Sequence, residues 1–545
     1  MRWWGWGTQG HDPVLPPAAE ALLARELGPG GAAAPPVELD AVALPEQRLE
    51  GDVREQLAAI VGPGRVRDDR LARVTHAAGR SYPDLVRLRR GEAPGAPDFV
   101  VEPGTPEEVA AVLRLCARAD VPVVPFGGGT SVVGGVEAGP GMVTLDLGRL
   151  DRLVAADTRS LTATLQAGMP GPAVERSLAG HDVTLGHYPQ SFEYSTVGGW
   201  IATRSAGQAS TGVGRIEDLV LGLRCITPEG ELEVPAFPAT AAGPDLRELV
   251  LGSEGMLGVV TEATLRVRPR PEARRYEGWS FRSFAEGMEA LRTLEQSGVP
   301  PDVARLSDEH ETRLGLAFAP RGASTRAVTA YLRARGHRRA SLAIFGWEGD
   351  AAAVRARRRR AGEILRKAGG IALGPKPGAV WARGRFEAPY LRDVLLGRRV
   401  LVDTLETAAS WSALPGLYAA VAGALHGALA GRGTPPLVMC HISHLYPTGA
   451  SLYFTFFARQ EPGGELEQWH AAKAAATDAI VAGGGTITHH HAVGRDHAPW
   501  LEAEIGRLGI EVLQAAKARV DPAGIMNPGK VLAGTPLPGA HRAIA

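Results

Sequence analysis

The sequence predicts an α+β fold of several domains, and three observations predict it. Residues 94–272 alternate short apolar strands with amphipathic helices. Residues 273–435 turn largely helical, with isolated strands such as Ser341–Phe345. Three glycine-rich segments, Pro125–Ser131, Ser195–Gly207 and Gly252–Gly258, follow in order within the first region, each beside an apolar strand-like run. Glycine lacks a Cβ, so such segments can adopt left-handed backbone angles and bring their amides close to a bulky anion. A row of such amides forms a concavity that binds phosphate. One loop of this kind would be an ordinary turn, but three in this order point to one large pyrophosphate-bearing cofactor held at a discontinuous site.

The elements follow in chain order. Residues 1–93 are rich in Pro, Ala and Trp and carry helical patches at Ala18–Glu26 and Asp52–Ile60. Asp98–Glu102 is a short strand. Thr105 is a helix N-cap, with Pro106 at the first helical position and Glu108 placed to complete a capping box. Val109, Val112, Leu113 and Cys116 recur at i, i+3, i+4 and i+7, which makes one buried helical face. Val121–Pro125 is the next strand, the glycines come directly after it, and Met142–Asp146 continues the sheet. No helix opens on Gly127–Gly129 and the Gly-x-Gly-x-x-Gly spacing is absent, which excludes a Rossmann fingerprint. Arg268–Pro271 is a stiff, charged exit from residues 94–272. Residues 273–435 read as a cap and 436–535 as a separate C-terminal segment carrying the chemistry. The tail 536–545 is expected to be disordered.

Composition narrows the class. A chain of 545 residues is long enough for several cores. Acids and bases balance at 59 each, so no global field recruits nucleic acid, and no nucleic-acid partner is expected. No run of 18 apolar residues marks a membrane span, and the N-terminus lacks a charged-then-apolar leader. Cys116, Cys225 and Cys440 are too widely spaced for a disulfide framework or a metal cluster, which fits a reducing, cytoplasmic setting.

The polar candidates lie in the C-terminal third. Tyr446 stands at the mouth of the apolar strand Ser451–Phe457, where a side chain can face a cavity; a phenol acting as a base there needs positive neighbours. His489, His490 and His491 follow Gly483–Gly485 and the strand-like Thr486–Thr488. In an extended chain His489 and His491 share one face and His490 takes the other. Three histidines suit zinc, but neighbours on a strand cannot converge on one ion and no carboxylate lies at ligand spacing nearby, so no metal site is expected. Arg392, in Pro389–Asp393, offers a permanent forked charge suited to phosphate or carboxylate. The run Arg355, Arg357–Arg360 reads as a solvated helix face.

Taken together, these loops resemble the FAD-binding domain of the vanillyl-alcohol oxidase and para-cresol methylhydroxylase superfamily. The match from Arg2–Gly7 through Ile216–Val220 and His489–His491 to Val520–Pro522 resembles, more narrowly, the alkylglycerone-phosphate synthases. That resemblance implies a two-subdomain FAD-binding domain of the vanillyl-alcohol oxidase type at 94–272, an α+β cap and a helical N-terminal segment. It implies non-covalent FAD held by Pro125, Phe126, Gly127, Gly128, Gly129, Thr130 and Ser131, and by Pro189, Gln190, Ser191, Ser195, Thr196 and Gly199. Thr203, Arg204, Ser205 and Ala206 continue the site, as do Glu254, Gly255, Leu257, Gly258, Val259 and Val260. It implies Tyr446 as the general acid–base, the histidine triplet as charge-stabilising catalytic groups, and Arg392 on substrate phosphate. The implied reaction exchanges the acyl chain of acyl-dihydroxyacetone phosphate for a fatty alcohol, without net redox change, in ether-lipid biosynthesis. Lipid-like substrates leave room for peripheral membrane contact, and for a homodimer. The rival reading is a flavin oxidase or dehydrogenase of a D-2-hydroxy acid or other small alcohol, since fold does not settle chemistry. In those dehydrogenases an acid stands where this chain has His490, and it helps bind metal.

Overall fold

The apolar strands of residues 94–272 sort into two different sheets. In the computed structural model, which describes residues 1–532 apart from 9, 32 and 319–322, Phe99–Val101, Val143–Asp146 and Val123–Phe126 pair in parallel. The tail 536–545 lies outside the described residues. Helix Pro106–Arg118 covers this sheet and buries Val109, Val112, Leu113 and Cys116 completely, as their spacing predicts. Thr105 Oγ1 accepts the Glu108 N–H at 3.1 Å, but the Glu108 carboxylate accepts from Gly104 N–H at 2.6 Å, so the cap closes one residue upstream of a capping box. The second sheet is antiparallel, in the order Leu153–Asp157, Thr162–Gln166, Val259–Arg266, Val220–Thr227, Gly230–Val234. Its core gathers Trp200, Ile201, Leu219, Leu223 and Leu265. The two sheets are the two subdomains of the expected FAD-binding architecture.

The cap is α+β as expected, its helices packed on a sheet of eight strands, three of which come from residues 437–459. Its order runs Ile371–Gly374, Ala273–Phe281, Ser341–Gly349, Val303–Ser307, Leu437–Ile442, Gly449–Arg459, Val400–Ser410, with Leu445–Tyr446 paired to Gly449–Arg459. Helices Phe284–Gln296, Ala351–Lys367, Leu414–Gly431 and Glu465–Ala482 cover one face. The strands were hidden because charges such as Arg305, Asp403 and Glu406 interrupt their apolar alternation.

Strand periodicity decides which residues see the core. On Gly449–Arg459, Leu452, Phe454 and Phe456 join the helix-covered core, while Tyr453, Thr455 and Phe457 face an internal cavity. Cys440 and Ile442 alternate in the same way with Met439 and His441.

Two expected boundaries do not hold. The division at 435/436 cuts a single sheet, since Leu437–Ile442 pairs with Val303–Ser307, and Gly449–Arg459 pairs with Val400–Ser410 along its length. Nor is 1–93 a unit: Val66–Arg67 extends the first FAD-domain sheet, while Leu22, Leu23 and Leu27 pack on Leu314, Val400 and Phe457 of the cap. The chain end also returns, as Val123 N–H donates to Ile525 O and Asn527 N–H to Val123 O. Ladders between distant segments leave no trace in local composition, which is why a reading by composition missed them.

Two surface readings need adjustment. Helix Leu414–Gly431 has the length and composition to cross a membrane, although Pro415 and His426 interrupt its apolar run. Here its Leu414, Leu417, Val421, Leu425 and Leu429 pack into the cap core. Within the arginine run, Arg357 is half-buried against Asp302, while Arg355, Arg358, Arg359 and Arg360 are exposed as expected, Arg358 pairing with Glu277 and Arg360 with Glu363.

Candidate functional site

The three glycine segments meet at one cavity of about 460 Å³, walled on its far side by the cap sheet. Pro125–Ser131, Pro189–Ser191, Ser195, Thr196, Gly199, Thr203, Ser205, Ala206, Glu254, Gly255 and Gly258–Val260 all line it. The loops touch so closely that side chains are excluded. A Cβ on Gly128 would lie 2.0 Å from Tyr194 O, and Gly129 and Gly255 hold φ of +62° and +78°. Thr196 caps the short helix Val197–Ala202, whose start lies at the same wall. A cleft of backbone amides drawn from three segments suits a large pyrophosphate-bearing group.

Two expected cofactor residues are not on this wall. Arg204 turns outward, donating to Leu251 O at 3.2 Å and to the Glu248 carboxylate at 2.6 Å. Leu257 packs into an apolar cluster with Leu501 and Leu532. Both stand beside true lining residues, so adjacency in sequence did not predict facing. Glu254 acts as a clamp, accepting N–H from Val493 and Gly494 at 2.8 Å each, and burial pushes its carboxyl up to about 7.

The histidine triplet is not on a strand. Residues 488–491 form a bend wrapped around the carboxylate of Glu406, which projects from strand Val400–Ser410 with no exposed side-chain surface. Glu406 accepts N–H from His489, from His490 at 3.1 Å and from His491 at 2.7 Å, and the Thr488 hydroxyl at 2.8 Å. Burial alone would raise this carboxyl, but the histidines and amide donors around it hold it well below the usual range. The bend aims all three rings inward, so His444, His489 and His490 offer ring nitrogens within 4.8 Å of one another. That corrects two expectations, that neighbouring histidines diverge and that no carboxylate is near. Their nitrogens are engaged with each other and with hydroxyls. His444 Nδ1 lies 2.6 Å from Ser210 Oγ, His489 Nδ1 lies 2.9 Å from His490 Nδ1, and His489 Nε2 lies 2.6 Å from the Tyr446 hydroxyl.

His490 and His491 line the cavity, but His489 and Tyr446 stand behind them and do not. The tyrosine that does face it is Tyr453, whose ring stacks on His490 at 5.9 Å and on His441 at 4.7 Å. Leu445–Tyr446 is a short hairpin arm folded against the sheet, whereas Tyr453 sits at an inward position of the strand itself. Burial pushes both phenols up to about 12 and lowers the His490 imidazole, with His491 down to about 3. His490, His491 and Tyr453 at the cavity wall are therefore all held in their neutral forms.

Arg392 lines the cavity, as expected of a substrate-holding arginine. Its NH1 donates to Arg80 O at 2.7 Å, while its buried Nε and NH2 have no hydrogen-bond partner among the described residues. The N-terminal motif closes this corner: Arg80 binds the carbonyls of Arg2 and Gly5, Trp6 N–H donates to Asp393, and Trp6 lines the cavity. Arg305, Glu311 and His441 form another lining cluster that sequence reasoning missed, with contacts of 2.7 to 3.0 Å. A charge inside an otherwise apolar strand was the available signal for Arg305, and likewise for Glu406.

Comparison with known proteins fits this arrangement. Residues 97–234 match the FAD binding domain model and residues 270–531 the model for FAD linked oxidases, C-terminal domain. The alkyldihydroxyacetonephosphate synthase of Dictyostelium discoideum is 36% identical over 569 residues, 98% of this chain and 93% of that one. The chain belongs to the alkyldihydroxyacetonephosphate synthase family. A solved structure titled alkyldihydroxyacetonephosphate synthase superposes with a TM-score of 0.86 at 32% identity, covering 97% of this chain and 98% of that one. p-Cresol methylhydroxylase, at 14% identity and a TM-score of 0.66 over 89% of this chain and 97% of that one, shares the fold. FAD is the cofactor of this family member, and the amide-lined cleft is where its residues fit it.

Two outcomes test the geometry. Glu406→Ala leaves the amides of residues 489–491 without their acceptor and lowers unfolding free energy by on the order of 3 kcal/mol, measured by denaturant titration. A wild-type midpoint and slope would remove Glu406 from this role. His491 is neutral in the fold because its pKa lies below the ordinary ~6.5, so below that pH only the unfolded chain takes up the proton and stability falls. Asp308 and Asp496, raised to about 7, act in the opposite sense, so the diagnostic is a difference between variants. From pH 7 to 5, His491→Asn should lose about 1–2 kcal/mol less than wild type in thermal unfolding. Parallel pH profiles would contradict a buried neutral His491.

Proposed function

We propose that the protein exchanges the acyl group of acyl-dihydroxyacetone phosphate for a fatty alcohol, yielding alkyl-dihydroxyacetone phosphate and a fatty acid. The observation that carries this reading is one cavity in which a guanidinium with buried donors left without hydrogen bonds among the described residues meets an apolar wall. Arg392 supplies the charge; Leu314, Leu391, Leu395, Met439 and Phe457 supply the wall. A long-chain substrate with an anionic head uses both features. Net oxidation of a D-2-hydroxy acid or other small alcohol would leave the wall without a role. The synthase relatives in Dictyostelium discoideum and Trypanosoma brucei brucei support the same reading.

Bound non-covalently, FAD supplies a ring that takes up and returns an electron pair at the substrate carbon, so the exchange has no net redox change. Arg392 offers NH2, which has no hydrogen-bond partner among the described residues, to the phosphate and fixes the head of the substrate. His490, neutral and at the wall, takes the C1 proton, while Tyr453, also neutral, donates a hydrogen bond to the departing carboxylate. His490 thus takes the proton-transfer role first read for Tyr446, which does not line the cavity. The apolar wall keeps water out, so that an alcohol rather than water completes the exchange. Substrates with such chains partition into bilayers, and peripheral contact with a membrane surface on the cytoplasmic side is part of the proposal.

Purified holo-protein given acyl-dihydroxyacetone phosphate and labelled hexadecanol should release labelled alkyl-dihydroxyacetone phosphate. Arg392→Ala should keep its FAD and lose ~10- to 100-fold in kcat/KM, as expected for a lost hydrogen bond to a charged group. Absence of labelled product from the wild type would sink the proposal. Acid or heat should release intact FAD from the yellow protein; flavin that stays with the denatured polypeptide would overturn the non-covalent attachment.

A further inference from the structure

A hydrocarbon chain that runs along an apolar wall must end somewhere, and the cap sheet shows where. Strand pairing sets Tyr453 between Glu406 and His441, Thr455 between Thr404 and Met439, and Phe457 between Val402 and Leu437. Residues two apart on a strand share a face, so Tyr453, Thr455 and Phe457 stand in a row along the cavity with rungs about 7 Å apart. The first rung is polar and the third is apolar. Facing the row, Leu395 follows Arg392 on helix Ala388–Leu396, and Leu314 comes from helix Glu309–Phe318. Beyond Phe457 lies packed protein. Phe457 is buried in one cluster with Leu22, Leu23 and Leu27 of helix Pro17–Leu27, and these three leucines do not line the cavity. Arg459, the next residue on the same face of the strand, clasps the end of that helix. It donates to Leu27 O at 3.3 Å and to Gly28 O at 2.6 Å. Glu20 and Glu26 of the helix pair with Arg398 at 2.8 Å and Arg313 at 3.1 Å.

We infer that Phe457, backed by helix Pro17–Leu27, is a stop that sets the longest hydrocarbon chain the site accepts. Each methylene that enters the row is removed from water and adds affinity. A chain that reaches the Phe457 ring has no further void to fill. The next methylene must displace a packed ring with leucines behind it, and overpacking of that kind opposes binding. The clasp at Leu27 and Gly28 and the two ion pairs keep the helix from yielding. The acyl and alkyl chains are carried in turn on the same carbon of a substrate whose head Arg392 fixes, so one row serves both and one stop limits both. Chain selectivity is then a matter of length counted along the strand: Tyr453 marks the reacting end, Thr455 the middle and Phe457 the limit.

The stop rests on the proposed exchange for its kinetic readout, and a binding measurement separates the two. Saturated fatty acids from dodecanoic to docosanoic are equilibrated with the holo-protein by dialysis. In wild type the affinity should rise roughly fourfold per methylene and then stop rising at one length. Phe457→Ala should move that break to longer chains. Thr455→Phe, which sets a ring one rung nearer the reacting end, should move it to shorter ones, and damage to the fold would not shift the two variants in opposite directions. In the exchange reaction, the kcat/KM ratio of eicosanol to hexadecanol should rise about tenfold in Phe457→Ala, and that of hexadecanol to dodecanol should fall about tenfold in Thr455→Phe. Should Phe457→Ala fail to fold, Phe457→Leu should shift the break in the same direction. No binding, an affinity that climbs without a break, or a break that the variants leave in place overturns the stop. If wild type makes no alkyl product, the proposed exchange fails and the fatty-acid series still decides the stop.

Discussion

A single buried carboxylate organises the site. Glu406 sits on the edge strand Val400–Ser410 of the cap sheet yet has no solvent contact, where an unpaired charge would be costly. It is held by three backbone amides and a hydroxyl from residues 488–491, and that requirement bends the chain around it. The bend turns three consecutive imidazoles toward one region instead of alternating them across a strand. The histidine-lined wall of the cavity, the cluster with His444 and the contact between His489 and Tyr446 all follow from it.

The cap sheet makes this arrangement rigid. Its helix-covered face is packed with Leu452, Phe454 and Phe456, so the side chains between them have only the cavity to face. Tyr453 and Phe457 are four residues apart on one strand, yet one meets the histidines and the other joins the apolar wall. A polar reaction centre and a lipid-sized wall are thereby built on the same ladder, with spacing fixed by the strand rise. At the corner by Arg392, the N-terminal motif packs backbone against side chain, since a Cβ on Gly5 would lie 2.4 Å from an Asp393 oxygen. That close fit holds Arg392 with its NH2 lacking a hydrogen-bond partner among the described residues.

Much of the fold was legible locally. The helix face of Val109, Val112, Leu113 and Cys116, the cap at Thr105 and the three glycine segments are set by short-range periodicity and backbone freedom, and each is present as read. The cofactor cleft was legible for the same reason, because a loop that must approach an anion has few residue choices. Arg204 and Leu257 were misread where neighbours in sequence face opposite ways. The cap's extent was missed because its sheet takes strands from both sides of residue 435, a pairing no local pattern records.

The sequence by itself determined the family, the cofactor and the polar residues available to the site, since these depend on which side chains occur and in what order. Tertiary structure alone decided which of them meet. Tyr446 and Tyr453 stand near each other in one segment, and nothing local ranks them. Pairing of Gly449–Arg459 with Val400–Ser410 turns Tyr453 inward, while the folded hairpin arm leaves Tyr446 behind the histidines. Glu406 and the triplet are more than eighty residues apart and meet only once Val400–Ser410 is in place. Contacts of that span depend on strand register and burial, and no window of sequence contains both partners.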